Sequence, residues 1–561
     1  MKYSPAIYLI LIALQSFNQP INQSTMAQTK QTAFINGKIY TVNENQPYAQ
    51  AVVVEGNKIK FVGSTSDSRK FVDASTEVID LEGKLLLPGF NDSHLHFTSG
   101  GQYLLGIYLR PALSKEEFVE IIQSYILKRS LPVSTWITGG RWDHELWPDK
   151  SLPTKELIDP FTENTPVFVS RIDGHVGLAN SKALELAGIT KNTPDPAGGL
   201  IERDEDGNPT GILKDNAMDL VFKVIPPPSL EENVDAALRA LEEARQLGIT
   251  SVQDMTQPDE FEAYKKILAD GNLTCRIYSV WPIDKYEDIV RAGVTVGNEE
   301  GFLKRGGLKA YADGSLGAST AWFFEPYISD SKNYGLAIDV VTNGNLEKWA
   351  TDADRNRLQI CTHAISDRAN AFMLDLYEKI KSINSPWERR FRIEHAQHLR
   401  KEDIKRFAEI GVIASVQPYH CIDDGVWAEK RIGSERIKTT HPYNSLLKNN
   451  AVVAFGTDWP VAPLNPLFGI YAAVTRQTVD GKNPNGWIPE EKISIEDAIK
   501  CYTLNAAFAS YEEKIKGSIE VGKLADFVVL SDDILSINPE NIKDVVVVMT
   551  VFNGEIVYER K

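Results

Sequence analysis

Residues 85–96 read Leu85-Leu-Leu-Pro-Gly-Phe-Asn-Asp-Ser-His94-Leu-His96, an apolar run closing on two histidines one residue apart. A short apolar run punctuated by Pro and Gly reads as a buried strand. In an extended segment residues i and i+2 share a side, so the two imidazoles can converge on one ion. Alone, the pair could equally be two surface histidines on a loop. Seven later runs repeat the design, at 248–254, 274–280, 307–313, 358–363, 391–395, 412–417 and 451–458. Helical patterns separate many of them, as at 231–245 and 401–410. Eight strand–helix units predict a TIM barrel, whose parallel strands carry their C-terminal ends to one rim.

That topology gives meaning to the residues at the run ends. Lys309 lies in the fourth run, His363 ends the fifth, His395 the sixth and Asp458 the eighth. Each has a bland reading by itself: a core histidine, a capping Asp, or an inward lysine paired with Asp313. Together with His94 and His96 they put six metal-capable side chains at successive strand ends, and a metal site at the rim is the expectation.

The rest of the chain is organised around this barrel, which is expected to occupy 84–509. Residues 34–42 and 551–558 each set β-branched and aromatic residues around an Asn-Gly pair, the signature of a hairpin. Further strands are expected at 50–63, 523–530 and 544–550. Both chain ends, 30–83 and 510–561, should therefore build one β-sandwich. The gap between the first and second runs is too long for a single crossover. It holds Trp136, Trp142, Trp147 and a Pro- and Gly-rich stretch at 193–211, and reads as an inserted subdomain at about 100–225. An insertion leaving the C-terminal end of strand 1 is placed over the barrel mouth, where it would select substrates.

Composition narrows the partners. With 561 residues, 43% of them hydrophobic, the chain can bury a large core. Its formal net charge of −16 repels phosphate backbones and leaves no broad basic face for nucleic acid or anionic lipid, so a small-molecule ligand is expected. The four cysteines, at 275, 361, 421 and 501, have no C-x-x-C spacing and are expected as buried thiols. Residues 1–29 carry Lys2, an apolar run from Ala6 to Leu14 and a polar stretch, as a secretory signal peptide does. Export to a periplasm or the medium is the expectation, and a cytoplasmic protein starting near Met26 the alternative. The run is too short for a stable membrane span. A homo-oligomer is left open.

The words GFNDSHLHF, LKAYADGSLGASTA, THAISDRA, RIEHAQH and GTDWPV, with GSIEVGKLADFVVLS near the end and DGHVGLANSKAL in the insertion, resemble the amidohydrolase superfamily in its family 3 branch, the group of N-substituted formamide deformylase-like enzymes. The resemblance implies two divalent ions, with zinc the first expectation. His94, His96 and Asp458 would hold one ion and His363 and His395 the other. Lys309 would bridge them as a carbamate, since a free ammonium has no lone pair to offer. It further implies hydrolysis of a non-peptide C–N bond by a metal-bridging hydroxide, with Asp458 moving the proton to the departing amine. His175 would polarise the substrate oxygen and Trp142 would wall the pocket. His144, His398, His420 and His441 are read as structural or surface residues. Two other functions stand beside this one: a one-metal deaminase of a ring amidine, against which Lys309 argues, and a non-catalytic barrel scaffold.

Overall fold

The computed structural model describes residues 30–129, 135–171, 175–196, 198–297 and 301–561; the export segment expected at 1–29 lies outside the described residues. Eight parallel strands form one sheet in chain order: β1 (Phe90–Leu95), β2 (Ile249–Met255), β3 (Arg276–Pro282), β4 (Leu303–Tyr311), β5 (Gln359–Ala364), β6 (Arg392–His395), β7 (Ile413–Val416) and β8 (Val453–Phe455). The segment after β8 closes the ring on β1, where Asp458 N donates to His94 O at 2.7 Å and His96 N donates to Trp459 O at 2.8 Å. A side chain at Gly456 would put its Cβ 2.5 Å from the His94 nitrogen, so only glycine permits this approach. The Asp92 carboxylate stitches the same seam, accepting from His94 N at 3.0 Å and from the Thr457 hydroxyl at 2.6 Å. This is the TIM barrel expected from the eight runs.

Barrel helices cover the strands by ordinary amphipathic logic. Leu230–Gln246 begins with a capping box, in which the Ser229 hydroxyl accepts from Glu232 N and the Glu232 carboxylate accepts from Ser229 N. It buries Ala236, Ala237, Ala240, Leu241 and Ala244, one stripe at helical spacing.

The chain ends form two further sheets around a core that includes Phe34, Val52, Leu86, Phe527 and Val551. Two boundaries differ from the sequence reading. Leu85–Pro88 is a sandwich strand, antiparallel to Phe527–Leu530, and the barrel begins only at Phe90. Both stretches are fully buried, so hydrophobicity does not distinguish one sheet from the other. Nor is Asn36-Gly37 a hairpin turn: Gln31–Ile35 and Lys38–Tyr40 belong to different sheets, and the pair carries the chain between them. The hairpins at 51–63 and at Asn553-Gly554 form as expected.

The insertion holds a sheet running from Ile107–Tyr108 through Gly139–Trp142, Phe168–Arg171, Val176–Ala179 and Pro209–Asp215 to Gly199–Arg203. The four cysteines are buried and free, and among the described residues no helix is long and apolar enough to cross a membrane.

Candidate metal centre at the barrel rim

At the C-terminal rim the strand ends bring histidines from three strands into contact. The His363 and His395 ring centroids are 4.6 Å apart, and those of His94 and His395 4.9 Å. Asp458 Oδ1 lies 3.4 Å from His96 Nε2 and 3.6 Å from His94 Nε2, while Lys309 Nζ lies 3.4 Å from His94 Nε2. Among the described residues, one group of three or more side chains has the geometry to hold a metal ion: His94, His395 and Asp458, whose ligand atoms lie within 4.8 Å of one another. His395 and Asp458 both sit at positive φ, 75° and 58°, a backbone state that non-glycine residues adopt rarely and that gathers at functional positions.

Each ring has one nitrogen tied outward, and this fixes which lone pair faces the rim. His94 Nδ1 meets Glu394 Oε2 at 2.5 Å, His395 Nδ1 meets Gln417 Oε1 at 2.7 Å, and His363 Nε2 meets the Gly314 carbonyl at 3.1 Å. Carboxylate and carbonyl oxygens only accept, so these nitrogens carry the protons and His94 Nε2, His395 Nε2 and His363 Nδ1 are left as lone pairs.

The sequence reading did not single out Glu394. It is fully buried, and it is gripped by Arg392 at 2.8 and 3.1 Å; Arg392 is itself bonded to Ser93 O, Ser415 Oγ and Gln253 Oε1. Burial pushes the Glu394 carboxyl up, but the Arg392 charge and the His94 hydrogen bond outweigh it and hold it well below the usual carboxylate range. A second buried carboxylate, Asp254, accepts from Phe97 N at 2.7 Å, fixing the helix that starts directly after His96.

The electrostatics suit a cation. Burial, with the Lys309 charge, lowers His94 to about 4 and His363 to about 3; burial also puts His395 well below its ordinary value. All three are neutral at pH 7. Asp458 is raised by burial, yet the His96 hydrogen bond and the neighbouring imidazoles bring it well below its ordinary value, so it is an anion. Burial lowers Lys309 to about 8. Asp313 is not its partner: that carboxylate is spent on the backbone N–H groups of Trp322, Ile365 and Ser366. Neutral imidazoles with a carboxylate form a donor set for zinc and related divalent ions.

A cavity of about 310 Å³ opens beside this group, with His96 and Lys309 in its wall along with Met255, Val280, Pro282 and Tyr311. Two roomier hollows, of about 570 and 580 Å³, lie along the β7–β8 side, and none of the six expected ligands is in their walls. Donor chemistry, not volume, marks the site.

Of the two substrate contacts expected from the insertion, Trp142 lies in the insertion's core. Trp142 is 0% exposed, donates its indole N–H to Val169 O at 2.9 Å and packs with Phe118 and Trp147 in the insertion's own core. A side chain so enclosed cannot wall a pocket. His175 is exposed, and its described partner is Asp215, at 2.9 Å. His420, read from the sequence as structural or surface, is instead at the rim: its Nε2 is 4.0 Å from Asp458 Oδ2.

A TIM barrel with neutral imidazoles and a carboxylate gathered at its C-terminal rim defines a metal-dependent hydrolase. The model of the amidohydrolase family matches residues 77–558, and the chain belongs to that family. It is 38% identical to the protein LONG AFTER FAR-RED 3 of Arabidopsis thaliana, over 88% of this chain and 86% of that one. It is 27% identical to the N-substituted formamide deformylase of Arthrobacter pascens, over 95% and 99%. Among solved structures it resembles a metal-dependent hydrolase from Pyrococcus horikoshii OT3, with a TM-score of 0.76, 29% identity and coverage of 91% and 99%.

Proposed function

We propose that the chain hydrolyses a non-peptide carbon–nitrogen bond of a small molecule, an amide or an N-formyl or N-acyl bond, with two divalent ions at the rim. The observation that carries this reading is the convergence of ligand atoms from His94, His395 and Asp458 within 4.8 Å. The formamide deformylase relative supports the choice of bond. His94, His96 and Asp458 would hold one ion and His363 and His395 the other. Lys309 would lie between them as a carbamate: its lowered amine forms an N–C bond to carbon dioxide and releases a proton, giving an anion with two oxygens. When bound, the ions would lower the pKa of water and polarise a carbonyl, and zinc is the first expectation for their identity.

The chain's own residues do the rest. The cavity beside His96 and Lys309 takes an apolar substituent against Met255, Val280 and Pro282. Asp458, ionised, accepts the proton of the attacking water and returns it to the departing nitrogen, which otherwise leaves as a high-energy anion. Glu394 and Gln417 hold the His94 and His395 rings in the required tautomers.

The test is metal analysis combined with a screen of N-formyl, N-acyl and cyclic amides, run beside Lys309→Ala. Two ions per chain and amide turnover are expected, with Lys309→Ala losing one ion and at least ~100-fold in turnover. A second reading draws on the tightest group numbering three residues, enough for one ion: a mononuclear ring-amidine deaminase. One ion per chain, ammonia release from a ring amidine and indifference to Lys309→Ala would favour it.

A further inference from the structure

His420 has a buried nitrogen with nothing to bond. It stands on the short helix Pro418–Asp424 that leaves β7, whose preceding residue, Gln417, holds His395. The His420 and His395 rings are nearly parallel, 10° apart in plane, with centroids separated by 6.4 Å. His420 Nε2 is shut off from solvent and has no hydrogen-bond partner. The nearest carboxylate oxygen, Asp458 Oδ2 at 4.0 Å, is beyond hydrogen-bond reach. A gap of that width lets one further atom contact both groups. Buried polar atoms left unpaired are rare in folded proteins, and one that faces the reacting carboxylate calls for a ligand.

Asp458 itself identifies the atom. Its Oδ1 faces His94 and His96, on the side of the ligand group, and its Oδ2 faces His420. Resting on the proposed amide hydrolysis, the oxygen turned away from the ligands is the one that returns the proton to the leaving nitrogen. That nitrogen therefore lies in the gap with its lone pair toward Oδ2. If it carries a hydrogen, the N–H lies roughly at right angles to that lone pair and needs an acceptor, and the orphaned His420 Nε2, 4.0 Å from Oδ2, is placed to be one. We infer that His420 accepts the N–H of the scissile bond, turning the nitrogen lone pair toward Asp458, and that the substrates are secondary amides or N-formylated and N-acylated primary amines. Tertiary amides have no N–H to offer. A pocket built around a hydrogen bond rejects the analogue that lacks it, because its own polar atom then stays unpaired.

The experiment uses the zinc-loaded full chain and matched pairs, N-butylformamide with N-butyl-N-methylformamide and the corresponding acetamides. The wild type is expected to prefer the N–H member of a pair by at least ~100-fold in kcat/KM. His420→Leu, similar in bulk but without an acceptor, should lower kcat/KM for the N–H member by at least ~30-fold and leave the N-methyl member within about 3-fold, collapsing the preference. His420→Gln, whose carbonyl oxygen accepts, should restore part of it. Zinc content and melting temperature should stay at wild-type values in both variants, which a merely structural role would not allow. The inference is overturned if the preference survives His420→Leu, since discrimination would then be steric, or if the loss tracks lost zinc. Wild-type turnover of the N–H members with no preference overturns the inference alone. Turnover of neither member of any pair overturns the proposed function along with it.

Discussion

Two clusters of buried histidines, each with its own carboxylate, differ in where their nitrogens point. At the rim, His94, His363 and His395 bond outward and each leaves a lone pair, and His94, His395 and Asp458, an anion, bring ligand atoms within 4.8 Å of one another. In the second cluster, His441 spends Nε2 on Asp424 at 3.1 Å and Nδ1 on the Tyr443 hydroxyl at 3.2 Å. His398 bonds Thr440 through Nδ1, packs against the Phe323 ring and leaves Nε2 unpaired with no carboxylate in contact. Asp424 also receives Gln397, and burial pushes it up to about 7. Residue types are much the same in both places. Convergence of free lone pairs is what separates a ligand set from a structural polar network.

The largest expected contrast comes from removing each cluster's carboxylate. Asp458→Asn should lower kcat by roughly 10²- to 10⁴-fold and deplete bound metal, measured by steady-state kinetics and elemental analysis. Asp424→Asn should leave both within about 3-fold, because a carboxyl raised toward neutrality is close to an amide in what it asks of its neighbours.

A sharper probe is Glu394→Gln, which touches no substrate. It should weaken metal affinity about 10- to 100-fold in competition with a chelator. It should also cost about 3 kcal/mol of stability in denaturant melts, since Arg392 is left buried without its counter-charge. Equal metal affinity with and without Glu394 would break the claim that the outward bond orients His94.

Metal removal should also divide the clusters. Ligand at about 100 times its dissociation constant stabilises a fold by about 2.7 kcal/mol, so chelation should lower the melting temperature of the wild type and of His441→Gln alike. In Asp458→Asn the shift should be much reduced.

The smallest effect is on acid stability. Burial holds His398 well below its ordinary value, so it stays neutral in the folded chain while the unfolded chain takes up a proton below about 6.5. Its contribution is complete above that pH and is lost as pH falls, at up to about 1.4 kcal/mol per pH unit. In metal-free protein, His398→Gln should therefore show a shallower loss of stability between pH 6.5 and 5 than the wild type does.

Seven of the eight barrel strands were legible because each is a compact apolar stretch between turn signals, and five of the six expected ligands fall on or just beyond the strand ends that make the rim. Leu85–Pro88 was misread because full burial looks alike in a sandwich and in a barrel. Glu394 was written beside His395 in the same strand, but its partner His94 is 300 residues away, and no local pattern announces that bond. His420 was hidden for a related reason: it stands within a turn of helix after β7, beyond the strand end, and only the path of that helix aims it inward. Trp142 illustrates the opposite error, an aromatic residue near a mouth in sequence that the fold encloses completely.

The most direct measurement is anomalous diffraction at the zinc edge from crystals grown with zinc and bicarbonate. The account expects two peaks, one within about 2.0–2.2 Å of nitrogens of His94 and His96 and an Asp458 oxygen and the other within that distance of nitrogens of His363 and His395, with no peak at His398 or His441. A rim free of anomalous signal, or an ion bound by the His441–Asp424 pair instead, would contradict it.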